Sequence, residues 1–415
     1  MPPKQFKLFS KSALAGLFQR YCPNLKLAEY FAAAHVFPMR LNSHVVEDLI
    51  EWKSAPSDPL FRLSVPQPEM LRPADLNALL SEMKRGDTSR GQYCHAYCTY
   101  CFRWAQFTSV GSDQTFRSSD ATLLAQYIED HRAVTDVLFT GGDPLVMPAS
   151  TLRRYLEPLF GPASPQHLST IRIGTKSLAW WPYRFVTDPD AKDLLRLFTD
   201  VVASGKHLTL QAHFTHPREV EHPVAREAVR LIRMTGAQIR SQAPLVRNIN
   251  DDPALWIRMW KLQTRLGIVP YYMFVERDTG ARDYFSVPLA QALTVFNTAW
   301  SSLPGTARTV RGPSMSTGPG KICVLGTMTI KDERYFVLKF LQSRNPAWTQ
   351  EVFLAKFNPK AVWMDELEPA FESSGFFFER EYDAQRHSAT RSSSGQLTDH
   401  DWFEARDSFN GDCLQ

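Results

Sequence analysis

An α/β fold on a parallel sheet is what the sequence predicts, and three observations predict it. Apolar strand-like runs alternate with amphipathic helical segments between residues 119 and 302. Polar and charged residues gather at the C-terminal ends of those runs, where barrel sites collect. No G-x-G-x-x-G turn occurs, which removes the usual mark of an open doubly wound sheet. A partial barrel fits better.

Residues 5 to 75 read as mostly helical, with apolar groups Leu14-Ala-Gly-Leu-Phe18 and Val45, Val46, Leu49 and Ile50. Prolines 56, 59, 66 and 68 end those helices. One more short helix is expected over 73–84. Further on, helices are expected over 119–131, 150–160, 189–204, 223–235 and 288–302. Strands are expected over 137–140, 167–174, 208–214, 238–245 and 268–275. Asp252-Pro253 opens another helix in the order cap then N1 proline, and Gly267 closes it. Residues 322–330 and 335–340 read as strands. From about Glu379 the chain turns polar, including Arg391-Ser-Ser-Ser-Gly395, and reads as a disordered tail. The expected organisation is 1–84 helical lead-in, 85–310 barrel, 311–378 extension and 379–415 tail.

Composition narrows the partners. A net charge of +4 on 415 residues, with both signs interspersed, gives no basic stripe for nucleic acid. No 18-residue apolar run is present, so no membrane span is expected. Six cysteines in so long a chain are not a disulfide scaffold and suit a reducing compartment. The first 28 residues carry Lys4, Lys7, Lys11, Arg20 and Lys26 without an acid, the charge pattern of a transit peptide. They run straight into helical patterning, so the cytoplasm is the expected location.

The chemistry centres on Cys94-His-Ala-Tyr-Cys98-Thr-Tyr-Cys101, a C-x3-C-x2-C triplet. Four thiolates would close all four irons of a cubane cluster. Three leave one iron without a protein ligand, and an open position separates catalytic from structural metal sites. Zinc is the rival metal, but the paired half of its usual motif is missing nearby.

This spacing, with Tyr100 before the last cysteine, resembles the radical S-adenosylmethionine (radical SAM) superfamily. The run Cys94 to Trp104 looks like one branch, the lysine 2,3-aminomutase family, and five later segments agree in order. The resemblance spans roughly residues 20 to 330 and implies a partial (β/α)6 TIM-type barrel. It implies a [4Fe-4S] cluster on Cys94, Cys98 and Cys101, with SAM on the open iron. Gly141-Gly142-Asp143-Pro144 directly follows a strand. Its glycines admit close backbone approach, its acid suits an ammonium, and it matches the segment holding the methionyl amino group. His213 in His-Phe-Thr-His-Pro and Gln242 in Gln-Ala-Pro-Leu-Val-Arg match SAM-pocket positions; His213 as a core histidine is the plainer alternative.

Arg103 matches the arginine that grips the substrate carboxylate, a task suited to a planar guanidinium. Lys321, in Ser314-Met-Ser-Thr-Gly-Pro-Gly-Lys321, matches the loop lysine linked to pyridoxal 5'-phosphate (PLP). Arg172 reads equally as a structural ion-pair residue. The family's two aspartates for a lysine ammonium fall here on Arg277 and Ser314, so free lysine is disfavoured and an acidic or neutral side chain is favoured. Asp278, next door, restores the lysine reading if the register slips by one. The family also has several dozen more residues before the triplet, including a strand and phosphate-holding arginines. Here 83–93 is polar, and Arg85 and Arg90 are the stand-ins.

The expectation is a radical SAM, PLP-dependent amino-acid 2,3-aminomutase. It would take a small amino-acid substrate and electrons from a flavodoxin or ferredoxin, and would form a homo-oligomer. A PLP-independent radical SAM enzyme, a catalytically impaired relative lacking the first strand, and an enzyme acting on RNA or a protein partner are the alternatives.

Overall fold

The computed structural model describes residues 1–73, 76, 94–101, 121–276 and 281–392. The expected helix over 73–84, the segment before Cys94, and Arg85, Arg90, Arg103, Arg277 and Asp278 lie wholly or mainly outside the described residues.

Two sheets form. A small antiparallel pair joins β1 (Leu8–Ser10) to β2 (Arg40–Asn42). The large sheet contains β3 (Asp136–Phe139), β4 (Thr170–Thr175), β5 (His207–His213), β6 (Gln238–Leu245), β7 (Val269–Val275) and β8 (Arg311–Thr317). Antiparallel β9 (Gly320–Ile330), β10 (Glu333–Ser343) and β11 (Val352–Lys356) extend it. The strand order follows the chain from β3 to β11, and β3 to β8 are parallel.

The sequence of each strand explains which face it buries. Along β6, Ile239, Ser241, Ala243 and Leu245 are buried while Gln238, Arg240, Gln242 and Pro244 are less so. The apolar face packs with the crossover helices Ala149–Phe160, Ala191–Ala203, Pro223–Met234, Pro253–Arg265 and Leu289–Ser301 in one contiguous core. A doubly wound sheet would reverse its strand order part-way; among the described strands the order runs in sequence without reversal. The opposite face keeps polar residues, and that is where a site can form.

Helix ends obey local chemistry. Asp252 accepts a hydrogen bond from the Ala254 N–H at 2.8 Å, with Pro253 at the first helical position. Asp58 caps Pro59–Ser64 the same way through Phe61 N–H, also 2.8 Å.

The lead-in, expected to be mostly helical, also contains the short β1–β2 pair. Two sequence expectations need correction. The stretch from Ser314 to Lys321 is not one loop: Arg311–Thr317 is the sixth parallel strand, and only Gly318 and Pro319 separate it from β9. Residues Glu379–Ser392 form a helix rather than a disordered segment. Glu381 accepts from the Trp348 indole N–H and the Asn345 amide, both at 2.9 Å, and Tyr382 packs on the C-terminal core.

Candidate active site

A cavity of roughly 190 Å³ opens at the C-terminal ends of the parallel strands. Cys94, Cys98 and Cys101 all line it, together with Gly141, Gly142 and Asp143 after β3. His213 ends β5 and Gln242 lies on β6, both on the same wall.

The cysteine loop is held from three sides. The lead-in supplies backbone pairing: Tyr97 N–H donates to Arg40 C=O and Thr99 N–H to Leu63 C=O, each at 2.9 Å. The Asn42 amide bridges the His95 and Trp180 carbonyls at 3.1 and 2.8 Å. From the sheet side, the His95 Nδ1 and Ser177 hydroxyl lie 2.9 Å apart, and that hydroxyl donates to Asp143 at 2.9 Å. At the end of β5 and just past it, Tyr100 OH bonds His213 Nε2 at 2.8 Å and Thr215 Oγ1 at 2.6 Å. Burial holds Tyr100 protonated, well above its usual range, and keeps His213 neutral, its value lowered further by the Lys176 charge.

Behind Tyr100 sits a buried ion pair. Lys176 Nζ lies 3.0 Å from Glu219 Oε1 and donates to Thr215 Oγ1 at 2.9 Å. The other Glu219 oxygen receives the Thr215 N–H at 2.6 Å and the His216 N–H at 3.1 Å. His216 itself caps Pro217–Glu221, its Nδ1 accepting from Arg218 N–H.

Asp143 is fully engaged. Its carboxylate accepts from Leu145 and Lys176 backbone N–H and from the Thr175 and Ser177 hydroxyls. With about four lone-pair positions it has none to spare. Asp143 therefore shapes the turn, in which Gly141 takes a φ of +134° that favours glycine.

The three thiols suit a cluster better than a single ion. Burial pushes the Cys98 thiol up, so a thiolate there needs a metal's charge beside it. One tetrahedral ion with bonds of about 2.3 Å would hold thiolates about 3.8 Å apart. Among the described residues, the trio of potential ligands lying within 4.8 Å of one another is His44, Asp48 and His222, so the cysteine sulfurs are spread wider. In that trio the Lys4 ammonium already lies 2.8 Å from both Asp48 oxygens.

Lys321 is delivered by the tight β8–β9 hairpin. Gly320 has φ +155°, and a Cβ there would lie 2.3 Å from the Gln342 carbonyl oxygen. The Lys321 ammonium sits 4.2 Å from the Tyr272 ring centre and 5.1 Å from that of Phe274, and the residue is 6% exposed. Burial lowers its pKa to about 8, helped by the charges of Arg172 and Arg311. Lys321 does not itself line the cavity; Phe274 does. Ser314 is fully buried, its hydroxyl directed to the Arg311 carbonyl at 3.4 Å, and does not reach the cavity. Arg172 pairs with Asp136 at 2.6 Å, the structural role.

Several wall residues drew no role from the sequence: Tyr97, Glu276, Ser316 and Trp363. Lys176 in Ile171-Arg-Ile-Gly-Thr-Lys176 and Gln211 in Gln211-Ala-His213 were marked by their place at strand ends, where barrel sites collect. Trp363 had no such mark, because it arrives from the C-terminal extension.

No family model matches the chain. Individual proteins do. A provisional L-lysine 2,3-aminomutase of Aquifex aeolicus is 32% identical over 81% of this chain and 90% of its own length. The chain belongs to the lysine 2,3-aminomutase family. An L-lysine 2,3-aminomutase of Methanococcus maripaludis is 23% identical, covering 71% of this chain and 67% of that protein. A glutamate 2,3-aminomutase of Clostridioides difficile is 24% identical over 67% and 59%. No described helix is long and apolar enough to cross a membrane.

Proposed function

We propose that this chain is a radical SAM, PLP-dependent 2,3-aminomutase that moves an amino group from C2 to C3 of an amino acid other than free lysine. The observation that carries the reading is convergence. The cysteine triplet and the glycine turn after β3 open onto one cavity, and its Phe274 wall is a ring that Lys321 sits over. The sequential parallel order of β3 to β8 supports a partial (β/α)6 barrel around it.

Cys94, Cys98 and Cys101 would hold a [4Fe-4S] cluster, which when bound with SAM supplies the radical that starts hydrogen transfer. PLP on Lys321 would supply the electron sink through which nitrogen migrates. The chain's own part is binding, orientation and exclusion of water. Tyr100 fixes the cluster loop against His213, and neutral His213 offers its ring to the SAM pocket beside Gln242. Backbone of Gly141 and Gly142 would face the methionyl end, while Asp143 holds their turn in shape. Lys321, with a pKa near 8, loses its proton easily enough to act as a nucleophile near neutral pH.

For the substrate, Arg103 would hold the α-carboxylate. Arg277 would meet the side chain, disfavouring a cation, and the relative named for glutamate agrees with an acidic or neutral side chain. We further propose a cytoplasmic homo-oligomer served by a flavodoxin- or ferredoxin-like donor. Protein reconstituted without oxygen, given SAM, PLP and reductant, is expected to form a β-amino acid and 5'-deoxyadenosine with glutamate or a neutral amino acid. SAM cleavage with none of a full amino-acid panel contradicts the proposal.

A further inference from the structure

Gln211 on β5 and Ser316 on β8 line the cavity, and the buried Gln211 Oε1 and Ser316 Oγ have no hydrogen-bond partner and no role so far. Gln211 is 4% exposed. Buried polar atoms are paired in the great majority of cases, and an unmet one is a cost that a bound partner removes. Both residues line the cavity that the cysteine triplet also lines.

Their placement selects the ligand. Ser316 stands directly opposite Lys321 in the β8–β9 ladder, so the two side chains leave the same sheet face about 5 Å apart. A hydroxyl and an amine so placed address the same end of one molecule. Tyr272 and Phe274 stack with ring centres 5.0 Å apart and planes 19° apart, presenting flat apolar surface below the lysine. Gln211 lines the same cavity from β5, three strands along the sheet from β8 with β7 and β6 between. A hydroxyl and a side-chain amide each both donate and accept. The wall thus combines an aromatic face with polar groups at its rim, which is the complement of a flat ring whose polar atoms lie at its edge.

We propose that Ser316 and Gln211 form the hydrogen-bonding seat of the pyridine coenzyme on Lys321, Ser316 from the strand beside the lysine and Gln211 from across the cavity. The inference rests on the PLP reading of Lys321. Full-length protein purified without oxygen is titrated with PLP, read by the visible absorbance of lysine-bound coenzyme and by borohydride fixation at Lys321. Ser316→Ala and Gln211→Leu are each expected to weaken PLP binding about tenfold. Ser316→Thr, which keeps the hydroxyl, is expected to bind nearly as the unsubstituted protein does. Iron content and SAM retention should stay unchanged in all three. Unaltered PLP affinity in both the alanine and leucine variants overturns the inference while leaving Lys321 its role. A parallel loss of iron or melting temperature also overturns it, since that marks packing rather than ligand binding. Failure of the unsubstituted protein to take up PLP overturns the Lys321 reading together with this one.

Discussion

At the scale of single residues, the chemistry is set by burial more than by charge pairs. Lys321 shows it best: burial, helped by the charges of Arg172 and Arg311, disfavours its ammonium and brings its pKa down to about 8. Below that pH the amine is protonated and unreactive; above it the free base attacks carbonyl compounds. Fixation of PLP by borohydride is therefore expected to rise through pH 8, with the same protein carrying Lys321→Ala as the blank. A midpoint near the ordinary lysine value of about 10.4 contradicts the assigned environment. The residues legible beforehand were those with unusual chemistry or spacing, namely the three cysteines, the paired glycines, His213 and Gln242. Ser316 and Trp363 are ordinary types at unremarkable positions, and only the folded chain brings them to the cavity.

At the scale of elements, the alternation of strands and helices from residue 121 to 301 was legible because each segment is long and periodic. The exceptions have physical causes. β8 contains Gly312-Pro313, residues that weaken a strand reading, and its ladder with β7 is irregular at that point. β1 and β2 have three residues each, too few to show a period. The helix Glu379–Ser392 is polar along its length and is anchored by Glu381 and Tyr382 rather than by an apolar stripe. The hairpin between β8 and β9 makes the sharpest prediction at this scale. Gly320→Ala adds a Cβ against the Gln342 carbonyl at a positive φ, which costs on the order of 1–3 kcal/mol. Melting temperature should fall, and PLP uptake by Lys321 should fall with it. An alanine variant of unchanged stability and uptake means the hairpin does not position the lysine.

At the scale of the whole molecule, the lead-in and the sheet are parts of one device. Tyr100 and Ala96 of the cysteine loop belong to the same apolar cluster as Leu14, Phe61, Trp180 and Phe285, so lead-in, loop and the segments that follow the strands pack together. Backbone bonds from Arg40 and Leu63 fix the loop on one side, and His95, Ser177 and Asp143 fix it on the other. The hydrogen bonds from the lead-in to the cysteine loop were not visible in the sequence, because they join backbone atoms distant in the chain. All this order serves three sulfurs, and iron reports on them directly. Protein purified without oxygen and reconstituted is expected to carry about four irons per chain with the brown absorbance of a cubane cluster, most of which Cys98→Ala loses. Colourless protein, or an iron content that Cys98→Ala leaves unchanged, contradicts the account.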